Sequence, residues 1–339
     1  MTKDAELFGR TEAGDEVYRA TISGGGLTAR IMTWGAALQD LRLEGHDAPL
    51  TLGFPDFASY PRYSPYFGQT PGRFANRIDK GRFTLDGNSY QLEQNEGENH
   101  LHGGHIGTGK SLWKIEDLAA DSVRLGLVDP DGTAGYPGTC RLNCTYRLSG
   151  EGVLSIDYEA ETDKPTICNL AHHSYFNLDG SETILDHELM IAADDYLPTR
   201  PDQIPTGEIA PVEGTPFDFR EMRPVRREED GEQVLYDHNF CFCVSRERTA
   251  KRSVAMLRSV DSGIGMEVRT TEAGVQFYCG YKLKPTVPGL AGKTYGPFAG
   301  LCLETQTWPD APNHPYFPSA VLRPGERLVQ QTDYVFMRD

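Results

Sequence analysis

Cys140-Arg141-Leu142-Asn143-Cys144-Thr145-Tyr146-Arg147-Leu148 runs into Ser149-Gly150 and then Val153-Leu154-Ser155-Ile156-Asp157-Tyr158, and this stretch decides the fold. Apolar or β-branched residues recur at every second position, and polar residues fill the gaps. That period of two belongs to a half-buried strand; an amphipathic helix would repeat every 3.6 residues. Ser-Gly is turn chemistry, so the two runs read as neighbouring strands.

The same alternation appears at Val17–Ile22, Leu27–Met32 and Val123–Val128. Phe83-Thr84-Leu85, Asp86-Gly87-Asn88-Ser89 and Tyr90-Gln91-Leu92 read as a hairpin, and Asp131-Gly132 marks a further turn. The 36 glycines and 22 prolines suit many short strands. The best helix candidate, Phe219 to Val234, is interrupted by Pro224 and Gly231, which limits it to a turn or two. The chain has no linker-like break in composition, low-complexity tract or internal repeat. The expectation is all-β: a large antiparallel β-sandwich in one domain spanning 1–339, with loops or one concave sheet face carrying the site.

Charge narrows the partners. Lys and Arg total 33 against 49 Asp and Glu, a formal charge of −16 that repels phosphate backbones and anionic lipid heads. Nucleic acid and membrane are therefore not expected partners. No apolar run approaches the roughly 18 to 20 residues of a membrane span, and Met1–Glu6 has no apolar leader pattern, so a cytoplasmic protein is expected. Seven cysteines, an odd number, do not suggest a disulfide framework. Cys241-Phe242-Cys243 places two thiols on one side of a strand, but it lacks zinc spacing and a second pair. The polar run Arg226–Glu232 reads as a solvated loop.

Several segments carry chemistry. Gly72-Arg73-Phe74-Ala75-Asn76-Arg77-Ile78 holds two guanidiniums and an amide, suited either to forked hydrogen bonds with substrate oxygens or to pairing with carboxylates. Asn95–His105 contains His100, His102 and His105 beside a glycine turn; a metal reading of this trio is secondary to hydrogen bonding. His172-His173 precedes Ser174-Tyr175-Phe176-Asn177-Leu178, and on extended backbone the two imidazoles point to opposite faces, so at most one need meet a cleft. Tyr236–Phe240, Gly274–Gly280 and Leu303–Asp310 each set polar side chains among apolar ones. A buried polar group without a partner costs about 1 to 3 kcal/mol, so several together imply a shared polar pocket. An imidazole with a carboxylate, both bracketed by aromatics and amides, suits acid/base chemistry on a carbohydrate.

In order along the chain, Gly72–Ile78, Asn99–Gly104, Gly135–Gly138, His173–Leu178, Asp237–Phe240, Gly274–Tyr278 and Leu303–Asp310 resemble the motifs of the aldose 1-epimerase family. The resemblance implies a supersandwich fold, a free monosaccharide as substrate, mutarotation as the reaction, and neither cofactor nor metal. By position it makes Glu304 the general base, His173 the general acid and His102 a second imidazole at the ring oxygen. Asn76, Arg77, Asp237 and Gln276 match its sugar-binding positions. As an acid near neutral pH, His173 should hold a pKa at or above about 6.5. Two departures, His172 where the family commonly has Asn and Cys279-Gly280-Tyr281 where many members have Thr-Gly-Asn, are expected at the cleft edge. The alternatives are a silent sugar-binding module, a phosphorylated-hexose 1-epimerase, which should carry an added basic cluster, and a glycosidase using Asp237 with Glu304. A monomer or homodimer is expected.

Overall fold

The computed structural model describes residues 5–242 and 250–338. The strands Cys140–Ser149 and Val153–Thr162 pair antiparallel from Cys140↔Thr162 to Ser149↔Val153. They sit inside a nine-stranded antiparallel sheet extended on one side by Leu328–Arg338, Ile264–Thr270 and Arg252–Ser259, and on the other by Ser122–Asp129 and Lys114–Leu118. A five-stranded sheet packs against it, with Asp237–Cys241, Gly274–Tyr278 and Cys302–Gln306 adjacent in that order. A four-stranded sheet begins with Ala5–Arg10 and contains the Val17–Ile22 and Leu27–Met32 runs.

Alternation sets which side chains fill the space between the two larger sheets. Leu142, Cys144, Tyr146, Leu154, Ile156 and Tyr158 are buried there together with Val275, Phe277 and Leu303 from the smaller sheet. Two polar pairs cross this layer: Tyr334 Oη donates to the Leu303 carbonyl at 3.1 Å, and the Thr305 and Thr332 hydroxyls meet at 2.6 Å. With Leu303 and Thr305 committed to the core, Cys302, Glu304 and Gln306 must face the other way. That single parity gives Glu304 its position.

The Arg82–Leu85 and Asn88–Gln91 strands form the expected hairpin; Asp86 and Gly87 both take positive φ, 50° and 78°, as a tight primed turn requires. Between Phe219 and Val234 the structure forms no helix. The chain there makes two-residue strands at Arg223–Pro224, Glu228–Glu229 and Glu232–Gln233. Asp230 and Gly231, at φ 52° and 82°, turn the last two into a hairpin, and Pro224 has no N–H for a helical bond. Arg226 and Glu228 to Glu232 are exposed, as a solvated loop should be. Cys243 lies outside the described residues; Cys241 is a buried free thiol, as are Cys140, Cys144, Cys168, Cys279 and Cys302.

Candidate active site

Register alone assembles a polar row on the outer face of the five-stranded sheet. Glu304 pairs directly with Gln276, which pairs with Asn239; one step along, Cys302 pairs with Tyr278, which pairs with Asp237. The diagonal is bridged by Gln276 Nε2, which donates to Asp237 Oδ1 at 2.8 Å.

His173 arrives from the opposite side on an irregular segment, held by backbone bonds. Its N–H donates to the Gln69 carbonyl and its carbonyl accepts from Gly68, both at 3.0 Å. Gly68 sits at φ +65°, and a Cβ there would lie 1.9 Å from the Leu38 carbonyl oxygen, so the approach requires glycine. The result is His173 Nε2 at 3.6 Å from Glu304 Oε1, both side chains almost fully buried. As extended backbone dictates, His172 points the other way, its ring against Tyr146 and Tyr334 in the core. This corrects the expectation that His172 edges the cleft; parity places it behind.

A third strand pair brings in the remaining groups. Arg77–Ile78 pairs with His100–Leu101, and just beyond it the His102 N–H donates to the Asn76 carbonyl while the Asn76 N–H donates to His102 Nδ1, at 3.0 and 3.1 Å. That second bond fixes the tautomer: Nδ1 is the acceptor, so the ring proton sits on Nε2. The Asn76 side chain accepts from the Arg77 N–H at 2.9 Å. The Arg77 guanidinium forks onto Glu96 at 2.5 and 2.9 Å and stands 3.9 Å from Asp237.

The paired readings of the arginines and histidines separate. Arg73 is sealed in the interior, bonded to Asp129 Oδ2 and to the Pro137 and Gly138 carbonyls, so it is an anchor; Arg77 alone reaches the cleft. His100 is spent on the Glu93 carbonyl and Tyr136, and His105 pairs with Glu93 at the surface, so the sequence trio does not converge. A different trio does. Donor atoms of His102, His173 and Glu304 lie within 4.8 Å of one another. The His102 tautomer opposes a metal there, because its free nitrogen offers N–H where an ion needs a lone pair.

Electrostatics correct one expectation. Burial pushes the His173 pKa down to about 4, with its own backbone carbonyl and Asp237 acting against that, so it does not stay at or above 6.5. Burial also raises Glu304 well above the usual carboxylate range, reinforced by Asp237 and opposed by Arg77. His102 is pushed well down, by burial and then by His173 and Arg77. Both groups are driven toward their neutral forms, an imidazole beside a carboxyl that carries the one proton of the pair. Glu304 Oε2 and Gln276 Oε1 are buried with no protein partner, acceptors ready for a hydroxyl-rich ligand.

Sequence reasoning missed Tyr66, whose ring touches both imidazoles at 4.6 and 5.7 Å, and Cys302, whose Sγ is 3.5 Å from His173 Nδ1. It also gave Glu96 no role, although that side chain orients Arg77. For Cys302 a signal existed, since it lies two residues from Glu304 on one strand. Tyr281 packs edge-on against Tyr278.

The pattern of the aldose 1-epimerase family matches residues 18–335. Galactose mutarotase of Mus musculus is 44% identical over 97% of both chains, and aldose 1-epimerase of Escherichia coli K12 is 35% identical over 93% of both. Among solved structures, an aldose epimerase homologue from C. elegans superposes with a TM-score of 0.88 at 30% identity, covering 94% of this chain and 98% of that one. Galactose 1-epimerase from Lactobacillus acidophilus gives 0.83 at 27%, covering 99% and 98%. The chain belongs to the aldose 1-epimerase family.

Proposed function

We propose that this protein is an aldose 1-epimerase that interconverts the α and β anomers of free aldoses, with Glu304 and His173 as its proton-transfer pair. The observation that carries this reading is the 3.6 Å approach of His173 Nε2 to Glu304 Oε1 inside a buried polar cleft. The Glu304 carboxylate takes the proton from the C1 hydroxyl as His173 Nε2 gives one to the ring oxygen; the C1–ring-oxygen bond breaks and the aldehyde forms. Rotation about C1–C2 and reclosure, with the two groups exchanging roles, deliver the other anomer.

The shared proton replaces the requirement for a high His173 pKa. Carboxylate with imidazolium and carboxyl with imidazole contain the same number of protons, and the first arrangement becomes the second as the ring opens. The resting preference for the neutral pair therefore matches the open-chain stage. His102 Nε2–H serves as a donor to a sugar oxygen, and Asn76, Arg77, Asp237 and Gln276 hold hydroxyls. Asp237 is engaged by Gln276 and Arg77, which favours a binding role over that of a glycosidase's second carboxylate.

The substrate is a monosaccharide, and no helix among the described residues is long and apolar enough to cross a membrane. We further read the chain as a single domain, monomeric or homodimeric, acting in the cytoplasm; light scattering and fractionation test the last two. Polarimetry on freshly dissolved α-galactose and α-glucose tests the reaction: catalysed relaxation is expected, lost in His173→Asn and unchanged by prolonged chelation. An uncatalysed rate in the native protein refutes the reading, and a chelator-dependent loss restored by zinc would return the metal.

A further inference from the structure

Tyr66 stands beside the two imidazoles of the site in a conformation that its side chain disfavours. Its φ is +68°, in the left-handed region where a bulky residue is a genuine outlier, and such strain persists only where neighbours over-determine it. Here they do. Phe67 N–H donates to Ser64 Oγ at 2.8 Å, Gln69 N–H to the Tyr66 carbonyl at 3.1 Å, and Tyr175 Oη to the Pro65 carbonyl at 3.0 Å. The next residues, Gly68 and Gln69, are the ones that hold the His173 backbone.

The strained backbone aims the ring inward. It lies 4.6 Å from the His102 ring and stacks at 24° and 5.7 Å on His173. Exposed Lys110 lies over it, Nζ at 5.2 Å. The half-buried phenol thus separates a solvated cation from two buried imidazoles. Its hydroxyl, pushed up to about 12 by burial and then by Glu96, stays protonated.

We propose that Tyr66 is a positioning residue of the mutarotation site, a wall whose ring keeps water from His102 and His173 and fixes their orientation toward Glu304. The inference rests on the epimerase reading for its kinetic consequences, though not for its effect on the imidazoles. His173 is also faced by Glu304, His102, Tyr175 and Cys302, with His172 adjacent and Asp237 at longer range; His102 is faced by His173, Arg77, Lys110 and His100. Since these groups remain when only Tyr66 changes, a shift on its removal reports the wall itself.

Tyr66→Gly deletes the ring while suiting the positive φ, so the fold is retained; Tyr66→Phe keeps the ring. Proton NMR titration of the imidazole C2–H signals should show His173 and His102 rising by about one unit or more in Tyr66→Gly, as water reaches them, and unmoved in Tyr66→Phe. In polarimetry Tyr66→Gly should lose about 10 to 100-fold in kcat with little change in KM, its acid limb moving toward neutral pH. Native titration together with native kcat in a folded Tyr66→Gly protein overturns the proposal. If the native protein proves inactive, the epimerase reading falls and the NMR shifts alone decide the wall.

Discussion

Replacing Glu304 with glutamine should strengthen the fold while removing turnover, two effects of opposite sign from one atom. Glutamine keeps the shape but cannot accept the C1 proton. Loss of a general base costs about 10² to 10⁴-fold, or roughly 3 to 5.5 kcal/mol of transition-state stabilisation. Stability moves the other way. The Glu304 pKa is raised in the folded protein, so the folded state holds that proton more tightly than the unfolded chain. Its contribution is complete below the unfolded value of about 4.3 and is lost as pH rises toward the folded one. Glutamine does not titrate and escapes that loss. Each tenfold difference in proton affinity between the folded and the unfolded Glu304 carboxyl is about 1.4 kcal/mol of that loss. With ~2.1 cal/mol/K of unfolding entropy per residue over 339 residues, each such factor corresponds to about 2 °C in Tm. Polarimetry on α-galactose and calorimetry at pH 5, 7 and 8.5 measure both, the stability gap widening with pH. Near-native relaxation, or a Tm gap that shrinks as pH rises, would refute the reasoning.

The buried neutral histidines make the fold sensitive to acid. His172, His173 and His238 lie near 3, 4 and 4, all below the unfolded value of about 6.5, so the unfolded chain binds more protons and stability falls as pH drops from 6.5 toward 4; His238→Gln should reduce that slope by one proton in denaturant titrations, and an unchanged slope would count against it. Arg73→Met leaves the Asp129 carboxylate and four backbone carbonyls without the guanidinium, which should lower stability by about 3 to 5 kcal/mol while activity per folded molecule stays native; a Tm within a degree of native would contradict the anchor. With Arg77, Asp237 and Gln276 as the proposed ligands of ring hydroxyls and no residue proposed for C6, galactose, glucose, xylose and arabinose should all relax faster than the uncatalysed rate; pentoses at that rate would show the site to be selective at C6.

What the sequence made legible follows from the range of the physics involved. Period two is local, so the strands, the Asp86-Gly87 hairpin and the opposed His172 and His173 side chains could be read directly, and family resemblance is what pointed to Glu304 and His102. Protonation could not be read that way. Whether an imidazole is charged depends on how many atoms surround it, and the neighbours that desolvate His173 come from Tyr66, Tyr175 and Cys302, dispersed over more than 230 positions. The same limit explains the arginines. Arg73 and Arg77 are four residues apart and chemically alike, and only the long-range partners, Asp129 for one and Glu96 with Asp237 for the other, divide them into an interior anchor and the proposed sugar ligand. Phe219–Val234 forms a hairpin instead of the turn or two of helix its pattern allows, for a local reason: Asp230-Gly231 is a hairpin signal as strong as the one at Asp86-Gly87. Tyr66 lacked any such signal, because a positive φ at a bulky aromatic is imposed by the surrounding bonds and leaves no mark in residue type. Residues whose roles are invisible in this way act through their neighbours, which is why removing the Tyr66 ring should be felt first in the titration of two other side chains.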